Sequence, residues 1–453
     1  MKKFIKIALC FCLCVITIFS FTACGEKKLE MPASSATITS NGGMVVKKGN
    51  FLYFANGYYS VDNITKKSQL NDKYSTAGLY FNKTNSNGSI NYDENGSMKS
   101  AERLSSRLAG FEATDIHIFG DYLYFTTINT EETKSGGLQV DHLEIYRIKL
   151  DGTKLKRVYR SKVDFEDSEG NRVVEFEYFA KGSNVYILIR ENGTLKRVSC
   201  SKKSIGDAEK ISSDVKSYAC LDNQNIYNQI FFVTMDDGDY VVNRYNIESD
   251  SIITKSKIDK EEISSWELFD VKFDNLYFNA TLNDGSGSSY LYRIRLEDFE
   301  EYSFVSSAVK QTSTSYTAIY LLENFLDGIM VISSSSVQIL DAENPTENYT
   351  TTLMPADATI MLVKGGYVYY YSESEIKRFN CTTNEIESIY TETNTICNYQ
   401  FDIDGNYLYY FATVGSNDYL FRVAIADASP EKKSELIGFY EESDIPSAEE
   451  VEE

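Results

Sequence analysis

Few groups in this chain could make or break bonds. Its 453 residues hold two histidines, His117 and His142. No serine or cysteine phrase beside either reads as a nucleophile elbow, so a catalytic triad has no support. No glycine-rich phosphate loop or dinucleotide fingerprint occurs. Asp236-Asp237-Gly238-Asp239 and Asp402-Ile403-Asp404-Gly405 space carboxylates as a calcium loop would. Each lacks the distal Glu of such a loop, and each falls where a tight hairpin turn is needed. With no CxxC or HxxxH spacing, neither a metal nor a cofactor is expected. The chemistry left is recognition. Tyr58, Tyr59, Tyr74 and Trp266, the only Trp, could stack on sugars or grip a peptide if the fold gathers them on one face.

The elements that must position them form a repeat. Gly49-Asn50-Phe51-Leu52-Tyr53-Phe54 returns as Gly120-Asp121-Tyr122-Leu123-Tyr124-Phe125, and again from Gly182, Gly365 and Gly405. Weaker copies start at Asp274 and Asp327. A second phrase follows, as in Ile145-Tyr146-Arg147-Ile148-Lys149-Leu150, with Arg at its third position. A period of roughly 40–50 residues built only from strands predicts an all-β chain, a β-propeller of about eight four-stranded blades, or seven if one copy is fused or the ends share a blade. Tyr 34 and Phe 26 against Pro 5 is a composition that suits strands. The first phrase is expected as the second strand of a blade and the Arg phrase as the third. Arg147, Arg197, Arg244, Arg293, Arg378 and Arg422 share one register, which points to packing between blades rather than ligand binding. Long insertions at 55–77, 126–144, 160–173 and 259–271 then fall on one face, the expected binding face, and carry the four aromatic residues.

The amino terminus reads as an address. Lys2, Lys3 and Lys6 precede an apolar stretch from Ile7 to Phe21, the layout of a secretory signal. Phe21-Thr22-Ala23-Cys24-Gly25 resembles the lipobox of bacterial lipoproteins, with Phe21 in place of the usual Leu. That resemblance implies removal of residues 1–23 and a diacylglycerol on Cys24, with 24–43 as a flexible tether. The propeller would span 44–440, and 441–453 would be an acidic disordered tail. Net charge is −21. Loss of the three signal lysines takes it to about −24, which disfavours nucleic acid or an anionic membrane surface as a partner. Four of the eight cysteines lie at or before Cys24. The others either pair as Cys200–Cys220 and Cys381–Cys397 or stay as buried free thiols.

The Gly-x-x-Leu-Tyr-Phe and Tyr-Arg-Ile-x-Leu-Asp-Gly phrases, clearest at 120–125 and 146–152, resemble the propeller-type lipoproteins of anaerobic Gram-positive bacteria. Those carry a domain of unknown function likened to the propeller of low-density-lipoprotein-receptor-related proteins. The resemblance implies a fold and a lipid-anchored position on the extracytoplasmic face of the cell membrane, and it brings no catalytic residues. The expected function is a binding or scaffolding module for a protein or a cell-wall glycan. The alternatives are a polysaccharide or peptide hydrolase or lyase, with paired carboxyls from loops of different blades, and an envelope assembly factor.

Overall fold

The structure is a computed structural model. It describes residues 31–32, 43–56, 78–85, 89–90, 102–105, 107, 116–128, 142–169, 172–220, 229–258, 262–272, 275–299, 358–397, 401–414, 417–426 and 433–437, and the backbone of strands between 303 and 352. The chain is all-β. Inner strands such as Phe51–Asn56 and Tyr122–Ile128 are apolar on both faces because they are covered on both sides, whereas outer strands such as Glu209–Ser212 and Glu385–Thr391 are largely polar. Turn residues set their ends. Asn192-Gly193 and Asp237-Gly238 hold positive φ at both positions, 46° and 72°, then 50° and 90°. These are the two-residue turns whose twist matches that of the flanking strands.

Among the described residues the strands form eight sheets, antiparallel and each from one continuous stretch of chain but for one added strand in the fourth. The first contains Val45–Lys48, Phe51–Asn56, Gly78–Lys83 and Glu102–Ser105. The second contains His117–Phe119, Tyr122–Ile128, Leu143–Lys149 and Lys156–Arg160, and the third Val174–Lys181, Asn184–Glu191, Thr194–Cys200 and Glu209–Ser212. The fourth contains Ser217–Cys220, Gln229–Asp236, Asp239–Asn246 and Ser251–Ile258. The fifth contains Ile263–Lys272, Asn275–Leu282, Ser289–Arg295 and Val309–Lys310, and the sixth Ala318–Leu321, Gly328–Ser333, Ser336–Asp341 and Asn348–Thr352. The seventh contains Thr359–Lys364, Tyr367–Ser372, Glu375–Asn380 and Glu385–Thr391. In the eighth, Thr395–Ile396 and Asp402–Ile403 share the edge of Tyr407–Val414, followed by Asn417–Ala424 and Glu435–Leu436. One strand breaks the pattern: Ser303–Val305 leaves the fifth sheet and adds in parallel to the outer edge of the fourth. The glycine-aromatic phrase is the second strand and the arginine phrase the third, as the sequence predicts.

Apolar layers fill the space between neighbouring sheets. Phe231 and Val242 of the fourth sheet pack with Trp266 and Phe278 of the fifth. Equivalent layers join the first to the second, second to third, third to fourth and seventh to eighth. The last sheet also meets the first: Leu52 and Phe54 pack against Tyr409, Phe411 and Leu420. Among the described side chains, sheets one to five stack face to face in chain order, as do the seventh and eighth, and the last returns to the first, the packing of a β-propeller. First strands of adjacent sheets lie side by side around the axis. His117 stacks on Tyr178 with ring centroids 4.4 Å apart, and the backbone N–H of Val45 donates to Asp402 Oδ2 at 2.9 Å. Asp402 is buried, and a Cβ added to Gly43 would sit 2.2 Å from its Oδ2, so only glycine passes there.

Two of the repeated arginines tie sheet to sheet, while Arg244, Arg378 and Arg422 bond to the outer strand of their own sheet. Arg147 Nη1 donates to the Ser201 carbonyl at 2.6 Å, and Arg197 Nη1 to the Ile247 carbonyl at 3.1 Å. Each acceptor follows the third strand of the next sheet. Within the sheet, the guanidinium lies over a tyrosine of the second strand: Tyr122 under Arg147, Tyr367 under Arg378 and Tyr407 under Arg422. The aspartate phrases make turns. Asp404 Oδ1 accepts the N–H groups of Asn406 and Tyr407 at 3.0 and 2.9 Å.

Two expectations are corrected. The disulfide alternative is not formed: Cys200, Cys220, Cys381 and Cys397 are free thiols. Cys200 packs between the second and third sheets and Cys220 between the third and fourth, so separate layers hold them. Burial pushes the Cys200 and Cys381 thiols up to about 11, which leaves them protonated and unreactive at neutral pH. Native alkylation should spare Cys200, Cys220 and Cys381, and unfolding without reductant should expose all four to iodoacetamide. Mass spectrometry reads the result, and thiols that appear only after reduction would contradict it. The second correction concerns Trp266. It belongs to the first strand of the fifth sheet, not to a connection at 259–271, and it is 2% exposed. Its ring meets Phe278 and Tyr292 edge to face, with centroids 5.8 and 5.2 Å apart. The ring lies in the apolar layer between the fourth and fifth sheets, which leaves it no route to solvent.

Candidate functional site

A 240 Å³ cavity opens where the first strands of the third, fourth and fifth sheets meet. It lies at the end bearing the turns between second and third strands and the connections between sheets, which is the end where the sequence places its long insertions. Its floor is an ion pair. Glu175 and Arg190 are register partners on adjacent strands of the third sheet. Arg190 Nε donates to Glu175 Oε2 at 2.8 Å and Nη2 to Oε1 at 2.5 Å, a two-pronged pair. The hydrogen-bonded Glu175 carboxylate raises the Arg190 guanidinium above its usual range, against the opposing effect of burial.

The walls come from the next two sheets. The Leu268 N–H donates to Ser217 Oγ at 2.7 Å, which fixes the fifth sheet's first strand beside the fourth's. Beyond that bond the register of the fifth sheet shifts between Leu268 and Asp270. Phe269 is the extra residue of this bulge. Bulges re-aim side chains, and here the alternation fails at a large apolar ring, which stays 38% exposed at the cavity wall. Tyr218 lies opposite on the fourth sheet. Burial first, then the Glu177 carboxylate, holds its phenol well above the ordinary value, so it is a neutral hydrogen-bonding group. Lys216, Glu267 and Asn279 complete the lining, with Lys216 and Glu267 exposed.

The arrangement is suited to holding a ligand. It offers one exposed ring, one phenol and both signs of charge within a small volume. It is poorly suited to two-carboxylate hydrolysis, because Glu175 is committed to Arg190 and a catalytic acid must be free to exchange its proton. A larger cleft of 340 Å³ lies at the opposite end, between the second and third sheets. Tyr122, Tyr124, Cys200 and Lys202 line it together with Ser201, whose carbonyl accepts from Arg147, so it follows a seam of the scaffold.

Of the residues singled out by sequence, Trp266 sits behind this cavity in the core, next in chain to Glu267. Tyr58, Tyr59, Tyr74 and Cys24 lie outside the described residues. His117 stacks in the core on Phe119 and Tyr178, and His142 pins a connection through the Ser161 carbonyl at 3.2 Å and Asp164 at 3.0 Å. Sequence reasoning missed Glu175, Arg190, Lys216, Glu267 and Phe269. One signal was present: a hairpin turned at Gly182-Ser183 sets Glu175 directly opposite Arg190.

No family model and no curated protein matches the chain. Among solved structures it is similar to the β-propeller domain of the Trilobed protease from Pyrococcus furiosus, at 11% identity and a TM-score of 0.39, covering 90% of this chain and 98% of that one. It is similar to the acylaminoacyl peptidase of Pyrococcus horikoshii at 13% identity and a TM-score of 0.41, covering 71% of this chain and 51% of that one. A functionally unknown protein from Desulfotomaculum acetoxidans is similar at 11% identity and a TM-score of 0.38, covering 67% and 92%. At such values these similarities assign no residue a role.

Proposed function

We propose that this chain is a lipid-anchored extracytoplasmic binding module. The signal segment and Cys24 would place it on the outer face of the cell membrane, and an eight-bladed propeller would present its axial end to a protein or a cell-wall glycan. The observation that carries the binding reading is the bulge at Leu268–Asp270, which turns Phe269 out into a cavity where three sheets converge. An exposed aromatic ring beside fixed charges costs stability in a scaffold and is useful in recognition. The eight separate sheets support eight blades over seven. The hydrolase reading is less favoured, because one of the two cavity carboxylates is locked in an ion pair.

The test is site-specific photocrosslinking in cells, with benzoylphenylalanine at position 269 and, on the opposite end, at position 202. Adducts from 269 to one protein or to wall glycan, absent from 202, are the expected result. Adducts from 202 alone would place the binding face at the wrong end. Replacing Cys24 by Ala should release the protein from the membrane fraction, and retention there would remove the lipid anchor from the reading.

A further inference from the structure

The charges of the cavity have a pattern that the general binding reading does not use. Four charged side chains line it. Glu175 and Arg190 satisfy each other on the floor. Lys216 and Glu267 make no direct pair: among the described residues neither side chain has a hydrogen bond or a close ion pair, and Glu267 acts only weakly and through space on Arg190, although both line the same 240 Å³. They stand on different strands, Lys216 just before the first strand of the fourth sheet and Glu267 within the first strand of the fifth. A cation and an anion therefore flank one small space without closing on each other.

That pattern discriminates among ligands. A simple anion drawn to Lys216 meets the Glu267 and Glu175 carboxylates. A simple cation drawn to Glu267 meets Lys216 and Arg190. Each gains one attraction and suffers a repulsion of similar size. A neutral sugar would leave both charges without partners and would have to displace their water. A ligand that carries both charges, a few bonds apart, pairs with both side chains at once. Phe269 and Tyr218 supply the ring faces for an apolar group between or beside the charges. The volume lies under the usual range of about 300–1,000 Å³ for small-molecule sites, which suits a guest no larger than a dipeptide or a chain end.

We infer that the cavity between Lys216, Glu267 and Phe269 binds a small zwitterion, of the class of free amino acids and short peptides. The inference rests on the proposal that this cavity is a binding site. It assigns Lys216 to the ligand carboxylate, Glu267 to its ammonium group and Phe269 to its apolar side chain.

Titration calorimetry on the full chain in detergent tests it, with glycyl-phenylalanine, its N-acetyl form, its C-terminal amide and glucose as probes. The zwitterionic dipeptide should bind, and each capped form should bind at least tenfold more weakly. Lys216→Met should weaken the dipeptide tenfold or more and abolish the penalty for the amide. Glu267→Gln should do the same for the N-acetyl form. Both side chains are exposed, so the variants should melt with the parent. Capped forms that bind as tightly as the dipeptide would overturn the zwitterion while leaving a binding cavity, provided that Phe269→Ala weakens them all. Glucose binding without dipeptide binding would likewise replace the ligand class only. No heat with any probe would overturn this inference, and the cavity reading falls with it if benzoylphenylalanine at position 269 also captures nothing in cells.

Discussion

Asp402→Asn is expected to make the protein more stable at pH 8 by about 4 kcal/mol, and to leave it unchanged near pH 4. Asp402 is buried at the junction of the first and last sheets, accepting N–H groups from Val45 at 2.9 Å and Ile403 at 2.8 Å. Burial pushes its carboxyl up to about 7, more than those N–H groups and Lys364 pull it down. An acid whose folded value lies above its unfolded value binds its proton more tightly in the folded state. Its contribution is therefore fully favourable at low pH and is lost as pH rises between about 4 and 7. The amide of Asn carries no charge, so it removes the slope, and its one oxygen keeps the Val45 contact while its NH2 gives up the weaker one from the adjacent Ile403 N–H. Urea unfolding of both proteins at pH 4, 6 and 8 gives the difference, in which the other titrating groups cancel. A parent that gained on the variant with rising pH would show that the carboxylate is stabilised where it sits.

Arg422→Ala is expected to cost about 3 kcal/mol, and Arg422→Met about half as much. Arg422 is 1% exposed, the most enclosed of the arginines at its register. Its Nε and Nη2 both lie 2.6 Å from Glu435 Oε2, and its guanidinium carbon is 3.9 Å from the Tyr407 ring centre. The pair holds the short outer strand Glu435–Leu436 on the last sheet. Alanine removes charge, stem and packing together, whereas methionine keeps most of the stem. Glu435 is part-exposed and can return to water, which keeps the loss below that of stranding a fully buried carboxylate. The readout is the urea midpoint, and an alanine variant within 1 kcal/mol of the parent would mean that the guanidinium packs without contributing stability. That threshold is about the spread of ordinary surface substitutions.

The strands were legible because this architecture writes the same physics into every copy. A second strand covered on both faces must be apolar throughout, and it starts at a turn that needs Gly or Asp, hence the recurring glycine-aromatic phrase. The arginine register was legible because several copies place that residue opposite the same tyrosine of the second strand, Tyr124 opposite Arg147, Tyr369 opposite Arg378 and Tyr409 opposite Arg422, whereas Arg197 faces Leu188, two residues further along. The candidate site was not, because first strands carry no shared phrase: each lines the axis with whatever its own neighbours require. Trp266 was misplaced for a related reason. Its strand extends to Ile263, further than the repeat suggests, and a bulge at Leu268–Asp270 moves the exposed ring from the tryptophan to Phe269. A bulge is a change of count between two strands, so one strand's sequence does not record it.

Among the described residues no sheet borrows a strand from the far end of the chain. Every hairpin forms between segments that are close in sequence, so contact order within a sheet is low, and each can form soon after its own residues are available. Ring closure is different. The bond from Val45 to Asp402 spans 357 positions, and among the described residues no strand exchange accompanies it. Chain assembly is thus divided between fast local steps and one slow search in which the first sheet waits, with its apolar flank uncovered, for the last. That interval, rather than the finished ring, is when this protein would most need protection from aggregation.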